Sequence, residues 1–226
     1  MPAGLVLFDI DGTLLRRTGP HHRRALEEAI FGITGIRTTT DHIPLHGMLD
    51  PDIIARMLER AGAGRGLVRA SMPAIIRRAQ WLYVRWCPDL SRKTCPGVRR
   101  LLAALEREGA VMGLVTGNLT RIGWKKLERA RLRRYFRFGA FGEMSRDRAG
   151  LVRLALREAR RRGWLRPGEP VALIGDAPAD IEAARANHVR AIAVATGITP
   201  AEELAALQPD LLLRDLRRLR VGDLLR

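Results

Sequence analysis

Six short apolar runs constrain this chain more than any other feature. They cover residues 5–8, 111–115, 138–141, 171–174, 191–194 and 211–213. Each is apolar on both faces, too short for a helix, and followed by polar residues or glycine. Such runs read as strands buried in a parallel sheet. Helical patterns separate them. Val98, Leu101, Leu102 and Leu105 share one face, and Gly109 closes that helix. Leu151, Leu154 and Ala155 repeat the logic in the next unit, and Thr199-Pro200 reads as an N-cap followed by proline at the first helical position. Strand and helix in alternation predict a doubly wound parallel-sheet α/β core.

Residues 16–95 break the alternation. They hold no convincing strand, and helical patterns cover roughly residues 21–31, 51–61 and 67–86. Ile53, Ile54, Met57, Leu58 and Ala61 form the apolar face of the second, and Pro73 should begin or kink the third. An all-helical block after the first strand reads as an inserted α-helical cap. The division is then 1–15 with 96–226 for the core and 16–95 for the cap, with hinges near residues 16–20 and 93–97.

Composition sets the class of molecule. Hydrophobic residues make up 46% of the 226, enough for a packed core, and no run approaches the ~20 apolar residues of a membrane span. The first ten residues carry no basic stretch or cleavage site of a signal peptide, so a cytoplasmic protein is expected. Two cysteines, Cys87 and Cys95, make no disulfide framework. The formal net charge is +16, yet only Lys93, Lys125 and Lys126 are lysines. Arginine is spread along the chain and aromatic residues are only 5%, so the charge reads as a compositional bias with solvated helix faces rather than a nucleic-acid surface.

Ligands of doubly wound sheets bind beyond the C-terminal ends of the strands. There the sequence puts Asp9-Ile10-Asp11-Gly12-Thr13-Leu14 after the first run, Thr116-Gly117-Asn118 after the second, and Gly175-Asp176 with Asp180 after the fourth. Four carboxylates and a hydroxyl converge on one edge. Crowded carboxylates need a cation, and hard oxygen ligands suit Mg²⁺. Asp9 and Asp11, at i and i+2, point to the same side, so one can attack while the other handles a proton. Gly12 permits a sharp turn and close approach of backbone N–H groups to an anion, and Thr13 can cap that turn.

These motifs, in this order and position, resemble the haloacid dehalogenase superfamily, most of whose members are Mg²⁺-dependent phosphatases, and within it the phosphoglycolate phosphatase-like type with a helical cap. The resemblance covers nearly the whole chain. It implies that Asp9 is a nucleophile forming an aspartyl-phosphate and that Asp11 is general acid, then base. It implies Mg²⁺ on the Asp9 and Asp176 side chains and the Asp11 carbonyl, with Asp180 as neighbour or outer ligand. Gly12, Thr13, Thr116, Gly117 and Asn118 would surround the phosphate of a small phosphorylated metabolite. Dehalogenases of the superfamily lack the second Asp, so Asp11 argues against carbon–halogen cleavage. Phosphonatase-type relatives lack it too and need a cap lysine, where this chain offers only Lys93. A phosphosugar mutase of the same superfamily, and a non-catalytic anion- or nucleic-acid-binding protein on this scaffold, are the alternatives.

The family's third motif usually supplies a lysine, and no lysine follows Lys126. Lys125 and Lys126 come too early in the order of elements. Of Arg146, Arg148 and Arg153, Arg148 at the start of a helix, in Asp147-Arg148-Ala149-Gly150-Leu151, is the expected replacement for phosphate binding and catalysis. In the cap, His46, Gly47 and Asp50 could face substrate, with Asp50 equally suited to be an N-cap. Trp81, Tyr83 and Trp86 read as cap core, and His21, His22, His42 and His188 show no metal-ligand pattern.

Overall fold

The structure is a computed structural model, and it describes residues 4–225. Its sheet has six parallel strands: β1 (Leu5–Phe8), β2 (Val111–Thr116), β3 (Phe138–Phe141), β4 (Val171–Gly175), β5 (Arg190–Val194) and β6 (Leu211–Leu213). Their order is β3-β2-β1-β4-β5-β6, with Phe8 level with Leu114 on one side and Ile174 on the other. All six apolar runs are strands. The order reverses between β1 and β4, which makes that pair the topological switch point.

Between β1 and β2 lie α1 (His21–Thr34), α2 (Asp50–Arg60), α3 (Arg65–Trp86) and α4 (Val98–Arg107). Five helices follow: α5 (Thr120–Arg129), α6 (Arg148–Arg161), α7 (Pro178–Arg185), α8 (Ala201–Ala206) and α9 (Val221–Leu224). Successive side chains of a strand face opposite ways. Val6 and Phe8 therefore join α4, α5 and α9 in one apolar layer, while Leu5 and Leu7 join α6, α7 and α8 in the other.

The inserted helices add to the first layer. α1 packs along α3, and α3 packs on α5. Leu26, Ile30, Ile54, Met57, Ile75 and Tyr83 belong to the same continuous apolar cluster as Phe8 and Leu102. The chain enters and leaves the insert side by side. Leu15 and Thr94 form an antiparallel bridge, the Arg16 N–H donates to Lys93 O (2.9 Å), and the Cys95 N–H donates to Leu14 O (2.9 Å).

Four local expectations change. Pro73 neither begins nor ends α3, which starts at Arg65 and runs through it. Pro73 and Arg69 are both exposed, so the Arg69 carbonyl left without its helical donor can meet water. The N-cap of α2 is Leu49, and Asp50 is its first residue. Thr199 does not cap α8, whose N-cap is Pro200; its hydroxyl lies 2.6 Å from His46 Nε2. Tyr83 is core, but Trp81 is 48% exposed, with the Arg85 guanidinium over its ring. Cys87 and Cys95 are buried and unpaired.

Candidate active site

The two strands at the switch point carry the acidic groups. Asp9 follows β1 directly, and its N–H donates to Ile174 O of β4 (3.0 Å). Asp176 follows β4. Gly12 turns the chain back at φ +87°, and any Cβ there would overlap the Asp176 carboxylate. Glycine at this position thus serves the close approach of two loops. Thr13 is fully buried, and its hydroxyl donates to Asp176 Oδ1 (2.9 Å). It holds a carboxylate in place and neither caps the turn nor faces the cavity. Asp180, in the first turn of α7, accepts from the Ala177 N–H (3.1 Å).

Asp9, Asp176 and Asp180 are all buried, and each offers an oxygen within 4.8 Å of the others. The Asp11 side chain stands apart from this triad. Burial pushes the Asp9 carboxyl up to about 6, with Asp180 and Asp11 adding to the push and Arg148 opposing it. Asp176 is raised well above the carboxylate range by burial, then by Asp9 and Asp180. Asp176 Oδ2 is buried without a hydrogen bond among the described residues. Packed carboxylates with an unsatisfied oxygen are costly unless a cation joins them. The donor set, oxygen only and strongly anionic, fits a hard divalent metal.

One cation is built in. Asp147 caps α6 by accepting from the Gly150 N–H (2.6 Å), which sets Arg148 as the first helical residue. From there Arg148 Nη1 reaches Asp180 Oδ1 (2.7 Å) and Asp9 Oδ1 (3.1 Å), and Nη2 points at Gly47 O (3.4 Å). Burial lowers the guanidinium's pKa, but Asp180 and Asp9 more than offset that and leave it raised. Arg146 and Arg153 are exposed, and Arg153 sits 3.8 Å from Asp147.

Another part of the lining comes from the end of β2. Thr116 is fully buried, and the Asn118 amide nitrogen donates to its Oγ1 (2.8 Å) and to Asp11 Oδ2 (2.8 Å). Gly117 has its own steric reason. A Cβ there would run into the Met48 carbonyl, because the segment before α2 packs directly on this loop. The Asp50 N–H donates to Gly117 O (2.8 Å), and Asp50 Oδ2 accepts from the Leu119 N–H (2.8 Å). Asp50 is therefore a clamp on the loop after β2.

Lys126 comes too early in the order of elements to replace the third-motif lysine, yet it is 1% exposed and its Nζ lies 2.5 Å from Asp11 Oδ2 and 2.7 Å from Asn118 Oδ1. Burial pushes the Asp11 carboxyl upward, but the Lys126 ammonium and the hydrogen bonds from Lys126 and Asn118 outweigh that and hold it below its ordinary value. A signal was present in the sequence. Ile122, Gly123, Lys126 and Leu127 fall on one face of α5, so this lysine sits on an apolar stripe.

These groups open into a cavity of about 680 Å³ between the strand ends and the inserted helices. Asp9, Asp11, Gly12, Thr116, Gly117, Asn118, Arg148 and Asp176 line it, and so do His46, Gly47 and Asp50. His46 Nε2 is 3.3 Å from Asp176 O and 3.5 Å from its Oδ2. Thr13 and Asp180 lie behind the lining.

The fold and site define an α/β protein of the doubly wound type, with an acidic, arginine-tied centre at its switch point and helices inserted after the first strand. The chain belongs to the haloacid dehalogenase-like hydrolases, whose family model matches residues 4–188. It is similar to phosphoglycolate phosphatase of Pseudomonas syringae pv. tomato, at 29% identity over 96% of this chain and 79% of that one. The same enzyme of Pseudomonas fluorescens matches at 25% identity with the same coverage. Among solved structures, β-phosphoglucomutase of Clostridium difficile superposes with a TM-score of 0.74 at 19% identity, covering 98% of this chain and 95% of that one. CbbY of Rhodobacter sphaeroides in complex with phosphate gives 0.73 at 22% identity and 98% of both chains. Among the described residues no helix is long and apolar enough to cross a membrane.

Proposed function

We propose that the protein is a Mg²⁺-dependent phosphatase that hydrolyses a small phosphate monoester through an aspartyl-phosphate on Asp9. The observation that carries this reading is the buried Asp9, Asp176 and Asp180 triad tied by Arg148, with the second carboxylate, Asp11, across the same cavity. Asp9 attacks phosphorus, so an Asp9 oxygen–phosphorus bond forms as the ester oxygen–phosphorus bond breaks. The departing oxygen takes a proton from Asp11, because an alkoxide leaves poorly without one. Water then attacks phosphorus, gives a proton back to Asp11, and frees Asp9 and inorganic phosphate.

Arg148 offers its fork to the phosphoryl oxygens while restraining Asp9. Thr116 and Asn118, which line the same cavity, would contact those oxygens as well. The Asp9 and Asp176 carboxylates with the Asp11 carbonyl would hold the cation, backed by Asp180. When bound, Mg²⁺ supplies neutralisation of the charge that nucleophile and phosphoryl group share. We assign residues 16–95 as a cap that excludes water and selects the leaving group, with His46, Gly47 and Asp50 nearest to it. Relatives named phosphoglycolate phosphatase make 2-phosphoglycolate the first ester to try.

The test is release of inorganic phosphate from a panel of monophosphates, with Mg²⁺ and with chelator. Release that needs the metal supports the reading. Interconversion of hexose phosphates with little release would replace it with a mutase, and salt-sensitive binding of nucleic acid without turnover would replace it with a binding protein.

A further inference from the structure

No step of the proposed reaction uses Lys126, although a buried ammonium is costly unless fully partnered. Its partners number three, as many as its N–H groups: Asp11 Oδ2, Asn118 Oδ1 and, at 3.2 Å, His22 Nδ1. An ammonium only donates, so His22 Nδ1 accepts, and the ring hydrogen sits on Nε2. That nitrogen is 2.9 Å from Asp50 Oδ2. The His22 ring also packs edge-on against Tyr83, 5.6 Å between centres. The chain of contacts Asp11, Lys126, His22, Asp50 thus has one consistent set of donors and acceptors.

Two features set it apart from an ordinary core ion pair. The Asp11 side chain is 40% exposed in the cavity while that of Lys126 is 1% exposed, so the pair faces the reaction space from one side. Both donors to Asp11, Lys126 Nζ and Asn118 Nδ2, converge on Oδ2. Among the described residues nothing donates to Oδ1. One oxygen is anchored and the other is free to handle a proton.

We propose that Lys126 and His22 are positioning residues that aim Oδ1 of Asp11 at the leaving group, and that the inserted helices complete the assembly. His22 stands on α1 and is held by Asp50 of α2, whereas Asp11, Asn118 and Lys126 belong to the sheet and α5. Docking of the insert and placement of the acid are then one event. In the first half-reaction Oδ1, once it has taken up a proton, passes it to the ester oxygen as that oxygen leaves phosphorus. In the second, Oδ1 takes a proton from the attacking water. The proposal rests on the phosphatase reading above.

The experiment compares kcat/KM for two esters, 4-nitrophenyl phosphate, whose leaving group departs unprotonated, and glycerol phosphate, whose alkoxide needs a proton. Lys126→Met should raise the aryl-to-alkyl ratio by on the order of tenfold or more, a part of the roughly 10²–10⁴ that a positioned proton donor contributes. His22→Phe keeps the ring against Tyr83 but removes both nitrogens, and should move the ratio the same way by a few-fold. If Lys126→Met does not fold, His22→Phe carries the test. A parallel loss on both esters, with the ratio fixed, would reduce Lys126 to a structural ion pair and overturn the proposal. A ratio that moves for Lys126→Met but not for His22→Phe would overturn the part given to the inserted helices. Absence of turnover on any ester by the unmodified enzyme would overturn the phosphatase reading instead.

Discussion

At the scale of single residues, charge decides what each side chain can do. Arg148 is the only guanidinium that touches the triad among the described residues, and it does so from the capped start of α6. Arg148→Ala should lower turnover by on the order of 10²–10³, as when one preorganised charge-stabilising donor is lost. Arg146→Ala and Arg153→Ala, at exposed positions, should leave steady-state rates within about twofold of the wild type. The triad also predicts a coupling of metal to stability. Asp9 is raised from 3.8 to about 6. The folded state therefore binds its proton more tightly than the unfolded chain, and this contribution is full below the ordinary value and lost as pH rises through about 6. A divalent cation must displace that proton. The Mg²⁺-induced rise in Tm should be large near pH 8 and shrink towards pH 5 in thermal melts. Asp176→Asn removes one of three repelling carboxylates. In chelator it should melt higher than wild type, by about 2–4 °C per kcal/mol recovered, and it should lose the response to metal. An unchanged melt in chelator would mean that the repulsion is already relieved.

At the scale of elements, the strands were the easiest part to read. Residues such as Leu5, Val111 and Ile174 sit in runs buried on both faces, and a run of that length has few other uses. The motif residues at the strand ends were readable for the same reason: parallel topology gathers whatever follows β1, β2 and β4. Side-chain reach was not readable. Lys126 lies two turns into α5, and only the tertiary fold, with α3 packed on that helix and His22 reaching over from α1, sets it beside Asp11. Asp50 looked like an N-cap because a carboxylate before a proline commonly is one, yet its oxygens go to another loop. Thr13 and Thr199 likewise bond to groups far away in sequence. Pro73 sits inside α3 and not at its start. It lacks the N–H of an interior helical position, so Pro73→Ala should stabilise the protein, by up to about 3 kcal/mol in urea unfolding. Destabilisation by that change would mean that the α3 backbone is bent to suit the proline.

At the scale of the whole molecule, the arginine excess and the acidic centre act together. A net charge of +16 surrounds a site built from carboxylates. The exposed Arg16, Arg17 and Arg23 stand at the cavity between the inserted helices and the sheet. For the proposed reaction such a field would steer anionic esters inward, screened over a Debye length of about 8 Å at physiological salt. We expect kcat/KM for a phosphate monoester to fall several-fold between low and high ionic strength while kcat changes little; equal values at both would confine the charge to solubility. The proposed reaction requires Asp9 to carry the phosphoryl group between its two halves. The direct measurement is an acid quench during turnover with Mg²⁺ and 2-phosphoglycolate, or whichever ester the panel identifies, followed by mass spectrometry of the peptide that contains Asp9. The wild type should carry one phosphoryl group on Asp9, and Asp9→Asn should carry none and release no phosphate. Phosphate release by Asp9→Asn at the wild-type rate, or a label on any other residue, would contradict it.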